Sequence, residues 1–187
     1  ADATTGGSDG TSAEAICRLW PLRDELPGEV LLWVVDPAAV AAAQSGGKKF
    51  CLGATGFPVE AGVMSCGEAR YRARGRAYTG QEFSAGRAAV LRSGQLRIVV
   101  TEAGSLCADP AFYECLGLQP KQALAVQVKS HMGWQAGYAV GPERGLRFDG
   151  PGCTSLNFAR LPFTGARLEL FPLTDSPPNP ISHWQSI

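Results

Sequence analysis

The sequence predicts a mainly β fold, an antiparallel sandwich or barrel-like domain with two or three short helices and disulfide staples. Three observations favour it. Short alternating apolar and polar segments recur along the chain, glycine and proline are frequent at 23 and 13 of 187 residues, and six cysteines are present. An α+β fold is the alternative, because the apolar run at 28–36 precedes an alanine-rich segment that can pack as a helix on a sheet.

The sequence of the N-terminal part indicates a leader, a helix and a buried strand. Residues 1–10 are small, polar and glycine-rich, which is typical of a flexible leader. A helix is predicted from Thr11 or Ser12 to about Leu19, where a proline soon follows. The valine-rich run at 28–36 indicates a strand in the centre of a sheet.

Two aspartates, Asp36 and Asp109, each precede a proline and mark predicted helix starts. The acid caps the first turn, and the proline suits the first helical position because its missing N–H has no partner there. Gly46 and Gly117 are predicted to end these two helices.

The remaining segments predict strands and tight turns. Residues 68–78 alternate strictly, and residues 89–103 are typical of a hairpin that turns at Ser93 and Gly94. Residues 123–132 place apolar side chains on one face of a further strand. We therefore predict one β-rich domain over residues 11–172, followed by a proline-rich tail at 173–187.

The cysteines indicate disulfides and an extracellular, periplasmic or other oxidising compartment. No CxxC pair occurs, which disfavours zinc and redox sites. Cys107 and Cys115 are the favoured pair, since a short helix between them could return one sulfur to the other; six buried thiols in a reducing compartment are the alternative. The predicted disulfide residues are Cys17, Cys51, Cys66, Cys107, Cys115 and Cys153.

Charge and motifs exclude several classes of function. Seventeen basic residues balance seventeen acidic ones, so general attraction to nucleic acid is not expected. No segment is apolar enough for a membrane span, and nucleotide-binding, zinc-peptidase, serine-hydrolase and calcium-loop motifs are missing. The sequence therefore predicts no cofactor and no metal.

Four alternating arginines form the first predicted binding site. Arg70, Arg72, Arg74 and Arg76 would stand about 6.6 Å apart on one face of a strand. Guanidinium groups at that spacing match the anionic groups of a glycan or another anionic polymer. The alternative is a solvated sheet face whose arginines pair with acids on the neighbouring strand.

The segment at 131–138 forms the second predicted site. It gathers His131, Trp134 and Tyr138 among glycines, and a hairpin turning near Gly133 would present these side chains as a platform for sugar rings. The alternative is that Trp134 closes one end of the core. Catalysis through His131 is conceivable only as a minor hypothesis, because no nucleophile motif accompanies it.

The tail carries an apolar stripe for which we predict a protein partner or a place on the chain's own sheet. Its members, at helical spacing after the prolines, are Ile181, Trp184 and Ile187.

These features together predict an exported, non-enzymatic binding or surface-assembly module, with a glycan or an anionic polymer as its ligand. The first alternative is a secreted hydrolase that uses His131 or a pair of carboxylates. The second is a structural subunit of an extracellular or organelle-lumen complex.

Overall fold

The computed structural model describes residues 11–53, 56–130 and 133–146. The strands are β1 (Val30–Val35), β2 (Lys49–Leu52), β3 (Phe57–Glu60), β4 (Gly62–Arg72), β5 (Glu82–Ser93), β6 (Leu96–Thr101) and β7 (Ala125–Val126). The α-helices are α1 (Thr11–Leu19), α2 (Pro37–Gln44), α3 (Ala111–Glu114) and α4 (Gly133–Tyr138), and short 3₁₀ turns cover Trp20–Leu22 and Pro142–Arg144.

Five strands form one mixed sheet in the order β4-β5-β6-β1-β7. Strand β1 is parallel to both β6 and β7, whereas β5 is antiparallel to both β4 and β6. Strands β2 and β3 form a separate antiparallel hairpin. The prediction of an antiparallel sandwich or barrel is therefore wrong, and the fold is mixed α/β.

Strand β1, which lies between β6 and β7, explains this outcome, because both of its faces are buried. Leu32 and Val34 join a core with α1, α2 and the β2–β3 hairpin. Leu31 and Trp33 join a second core, on the other face, with α3. A strand covered on both sides needs an unbroken apolar run, which is the pattern at 28–36 and is the usual pattern of a parallel strand between layers.

Several local predictions are confirmed. Helix α1 covers Thr11–Leu19, α2 starts after Asp36, and β5 and β6 form a hairpin through Gly94, whose φ is +52°. In β4, Ala69 and Tyr71 are buried and the arginines between and after them are exposed. Each of these features depends on neighbours in the sequence, which is why short-range rules find them.

The prediction of disulfides is wrong for the described part of the chain. Its five cysteines, Cys17, Cys51, Cys66, Cys107 and Cys115, are all free thiols. In the favoured pair each sulfur makes a hydrogen bond to the backbone: Cys107 Sγ accepts the N–H of Lys129 at 3.0 Å, and Cys115 Sγ donates to the carbonyl of Phe112 at 3.1 Å. Cys153 lies outside the described residues. The oxidising compartment stays a prediction that has lost this support.

The leader at 1–10, the tail at 173–187 and its stripe of Ile181, Trp184 and Ile187 also lie outside the described residues. In the described ranges, no helix combines the length and the apolar character that crossing a bilayer requires.

Candidate functional site

Three segments far apart in the sequence meet beside the end of β4, at a place we call the Asp109 junction. It comprises the turn after β4 (residues 73–81), the segment between β6 and α3 (residues 102–110), and helix α4. Asp109 lies at its centre with 1% of its surface exposed.

The Asp109 carboxylate holds two of these segments together. Its Oδ2 accepts the backbone N–H groups of Arg74 at 2.8 Å and Gly75 at 2.6 Å, and its Oδ1 accepts that of Ala111 at 2.9 Å. A buried carboxylate that loses water needs such donors, and here both oxygens are used. The sequence predicted Asp109 only as a helix cap, so its second role was missed.

Two glycines allow α4 to lie directly on the turn. A Cβ on Gly75 would stand 2.5 Å from the Cα of Gly137, and a Cβ on Gly137 would overlap the carbonyl oxygen of Ala108. Both overlaps involve backbone, which cannot move aside as a flexible side chain can. The segment at 131–138 was predicted as a hairpin; its described part, from Gly133, is instead a helix.

Cys107, Tyr71 and Tyr113, which are buried, and the half-buried Tyr138 form a group of ionisable side chains behind Asp109. Burial raises the pKa of Cys107 to about 12 and moves the pKa values of Tyr71, Tyr113 and Tyr138 above their usual range. The hydroxyls donate to carbonyl oxygens: Tyr71 to Leu106 at 2.6 Å, Tyr113 to Gln127 at 2.7 Å and Tyr138 to Cys107 at 3.4 Å. Burial therefore keeps the Cys107 thiol protonated at neutral pH, which opposes a role as a nucleophile.

The predicted arginine face is split by the structure. Arg70 and Arg72 are exposed on β4, which is an edge strand, and Arg72 pairs with Glu82 at 3.0 Å. Strand β4 ends at Arg72, so Arg74 and Arg76 belong to the following turn. Arg74 pairs with Glu114 of α3. Arg76 has no ion pair with any described residue and lines a cavity beside α4.

The second predicted site partly joins the first. Trp134 and Tyr138 lie on α4, and the backbone N–H of Arg76 donates to the carbonyl of Ala136 in the same helix at 3.3 Å. Both aromatic side chains are half-buried, which is not the exposed platform that was predicted. His131 lies outside the described residues. The structure thus brings Arg74, Arg76 and α4 together and leaves Arg70 and Arg72 on the edge strand.

The junction does not fit a metal ion. Among the described residues, no three His, Cys, Asp or Glu side chains cluster as ligands of a metal ion would. Asp109 is the best-placed donor, but its two oxygens already accept three N–H groups. Cys107 would have to lose its proton to bind a metal, and burial opposes that loss.

Comparisons with known proteins show one family match and a similar solved structure. A model of the MlrC C-terminus family matches residues 1–165. The chain is also similar to a solved structure described as a "putative metallopeptidase" from Mesorhizobium sp. BNC1, with 26% identity and a TM-score of 0.75. That similarity covers 92% of this chain but only 35% of the other protein. No curated protein matches.

These similarities correct the functional predictions. The match to the MlrC C-terminus family and the similarity to a protein described as a metallopeptidase favour an enzyme over a non-enzymatic binding module, a carbohydrate-binding domain or a secreted structural subunit. The sequence alone did not indicate a peptidase, because the chain contains no HExxH motif. Since the family model matches most of the 187 residues, the chain belongs to the MlrC C-terminal family.

Proposed function

We propose that this chain works within a peptide-bond hydrolase, in which the Asp109 junction contacts the substrate and the metal ligands come from elsewhere. The observation that carries the proposal is the similarity over 92% of this chain to a protein described as a metallopeptidase. The chain spans about a third of that protein, at 35%, so we assign to it a part in the reaction and not the whole activity.

The geometry of the junction supports a substrate-binding role more than a chemical one. Asp109, Gly75 and Gly137 hold a charged turn rigidly against a helix, and a cavity opens beside them. Preformed pockets with a few polar groups on rigid elements are typical of ligand sites. The buried thiol and hydroxyls carry no charge that could activate water.

The test is peptide hydrolysis by the complete protein that contains this chain. We expect cleavage of unstructured peptides that a chelator abolishes and added Zn²⁺ or Mn²⁺ restores. Cleavage that survives the chelator, or no cleavage with any added metal, would contradict the proposal.

A pair of glycine variants tests the part played by the junction. Gly137→Ala should lower kcat/KM at least about tenfold, because a small displacement of a binding element costs that much or more. Gly67→Ala is the matched control, since Gly67 is exposed and a Cβ there meets nothing within 4 Å. Equal activity in the two variants, with both folded by circular dichroism, would remove the junction from the proposal.

A further inference from the structure

A cavity of about 400 Å³ opens beside the Asp109 junction. This volume lies within the range of small-molecule sites and suits one or two amino-acid residues. Its lining combines two polar side chains with three small apolar residues: Arg76, Gln135, Ala136, Ala139 and Val140.

Arg76 is the charged member of this lining, and its backbone is well positioned. Its N–H donates to the carbonyl of Ala136 at 3.3 Å, and the preceding residue, Gly75, is held by Asp109. The neighbouring arginines at 72 and 74 have carboxylate partners, whereas Arg76 has none among the described residues. Among the described residues that line the cavity none is acidic, and both oxygens of the nearby Asp109 carboxylate are already used by backbone N–H groups, so Arg76 is the charged group that can take an anion there.

The helix end on the other side of the cavity is strained. Ala139 has a φ of +52°, and it is the one non-glycine residue with positive φ in the described ranges. A helix usually places glycine in this conformation after its last turn, because a Cβ costs about 1 kcal/mol there. Strain of this kind is concentrated at ligand sites, and here it places an alanine, next to Val140, in the cavity wall.

We propose that this cavity binds the free carboxylate end of a short peptide. The Arg76 guanidinium takes the carboxylate through two parallel hydrogen bonds, which is the geometry in which arginine binds such groups. The Gln135 amide can donate to and accept from the peptide backbone, and the apolar wall fits a small side chain. This inference rests on the proposed peptidase function, because it makes a peptide the ligand.

A phosphate shares the anionic chemistry but fits the cavity less well. One guanidinium neutralises a single negative charge, and helix α4 has only six residues, from Gly133 to Tyr138, so it adds little dipole. Besides Arg76, the described lining offers a phosphate one side-chain donor, the Gln135 amide, and the apolar residues offer it none. A peptide carboxylate with a small apolar side chain beside it would contact both the polar and the apolar residues of the lining.

Calorimetric titration of the protein with N-acetyl-Ala-Ala, its C-terminal amide and inorganic phosphate tests the assignment. We expect the acid to bind at least about tenfold more tightly than the amide, since a hydrogen bond to a charged group is worth that ratio or more. Phosphate should bind more weakly than the acid. Equal binding of acid and amide, or tighter binding of phosphate, would overturn the proposal.

Variants connect this preference to Arg76. Arg76→Ala should lower affinity for the acid about tenfold and leave the weak affinity for the amide unchanged. Arg92→Ala is the matched control, because Arg92 is exposed, unpaired among the described residues and at the opposite end of β5. The proposal fails if both variants bind the acid as the wild type does.

Binding and hydrolysis are read separately, so the two proposals can fail independently. Arg76-dependent binding of the acid, in a protein that cleaves no peptide with any metal, keeps the carboxylate site and rejects the hydrolase. Metal-dependent cleavage with equal preference for acid and amide peptides keeps the hydrolase and rejects the carboxylate site.

Discussion

The two Asp-Pro turns, at Asp36 and Asp109, share a sequence pattern but hold different parts of the fold in place. Each aspartate precedes a proline, Asp36 directly after β1 and Asp109 after a longer segment that follows β6. Each accepts through one oxygen a backbone N–H of the following helix, that of Ala39 or of Ala111. Each uses its second oxygen to hold a glycine N–H, that of Gly53 at 2.9 Å or of Gly75 at 2.6 Å. The helices leave toward opposite faces of the sheet.

The difference lies in what the second oxygen holds in place. At Asp36 it holds the β2–β3 hairpin, where a Cβ on Gly53 would stand 2.6 Å from the Cβ of Ala13 in α1. At Asp109 it holds a turn that carries two arginines against α4 and the cavity. The same capping device therefore supports a layer of the core in one place and a candidate binding site in the other.

Removing the two carboxylates gives the largest expected effect. Asp109→Ala leaves one buried and two partly buried N–H groups without their acceptor and should lower the free energy of unfolding by about 3 kcal/mol. Asp36→Ala leaves two N–H groups at a slightly more exposed site and should cost about 2 kcal/mol. Urea unfolding of both variants measures the difference. A larger loss at Asp36 would reverse the comparison.

Alkaline pH should weaken the Asp109 junction through Cys107. The thiol ionises at an ordinary pKa of 9.0 in the unfolded chain but at about 12 in the folded protein. Its stabilising contribution is therefore complete below about pH 9 and is lost as pH rises toward 12, by about 1.4 kcal/mol per pH unit.

The measurement is urea unfolding at about pH 8 and about pH 10, comparing the wild type with Cys107→Ser. Serine does not ionise, so the free energy of unfolding of the Cys107→Ser variant should fall less with rising pH than that of the wild type. Cys66→Ser, at an exposed thiol, is the control and should keep the slope of the wild type. Identical slopes in all three proteins would show that burial of Cys107 does not shift its ionisation.

The smallest expected effect concerns the ion pairs of Arg72, at the end of β4, and Arg74, in the turn of the junction. Arg72 and Glu82 form an exposed pair, with 67% and 65% of their side chains accessible, so Arg72→Ala should change stability by less than about 0.5 kcal/mol. Arg74→Ala removes the partner of Glu114, which is only 27% accessible, and should cost about 1 kcal/mol. Urea unfolding at low and high salt distinguishes the contributions of the two ion pairs to stability. A larger loss of stability in Arg72→Ala than in Arg74→Ala would contradict the difference between the strand pair and the turn pair.

Much of the local structure could be predicted from the sequence, and much of the site could not. Asp36 with its proline, Gly94 in its hairpin and the alternation around Tyr71 are read from neighbouring residues. The arginines and Trp134 were predicted as binding residues, but as two separate surfaces. Nothing local shows that the turn after β4 and helix α4 meet.

The sequence by itself determined which segments are helices or strands wherever period, caps and turn residues act within a few positions. Tertiary structure decided the parallel pairing of β1 with β6, the free state of the described thiols, and the 35-residue reach from Asp109 to the N–H of Arg74. The reason is physical: a cap or turn is stabilised by its own neighbours, whereas the second oxygen of Asp109 finds donors only after the sheet has packed.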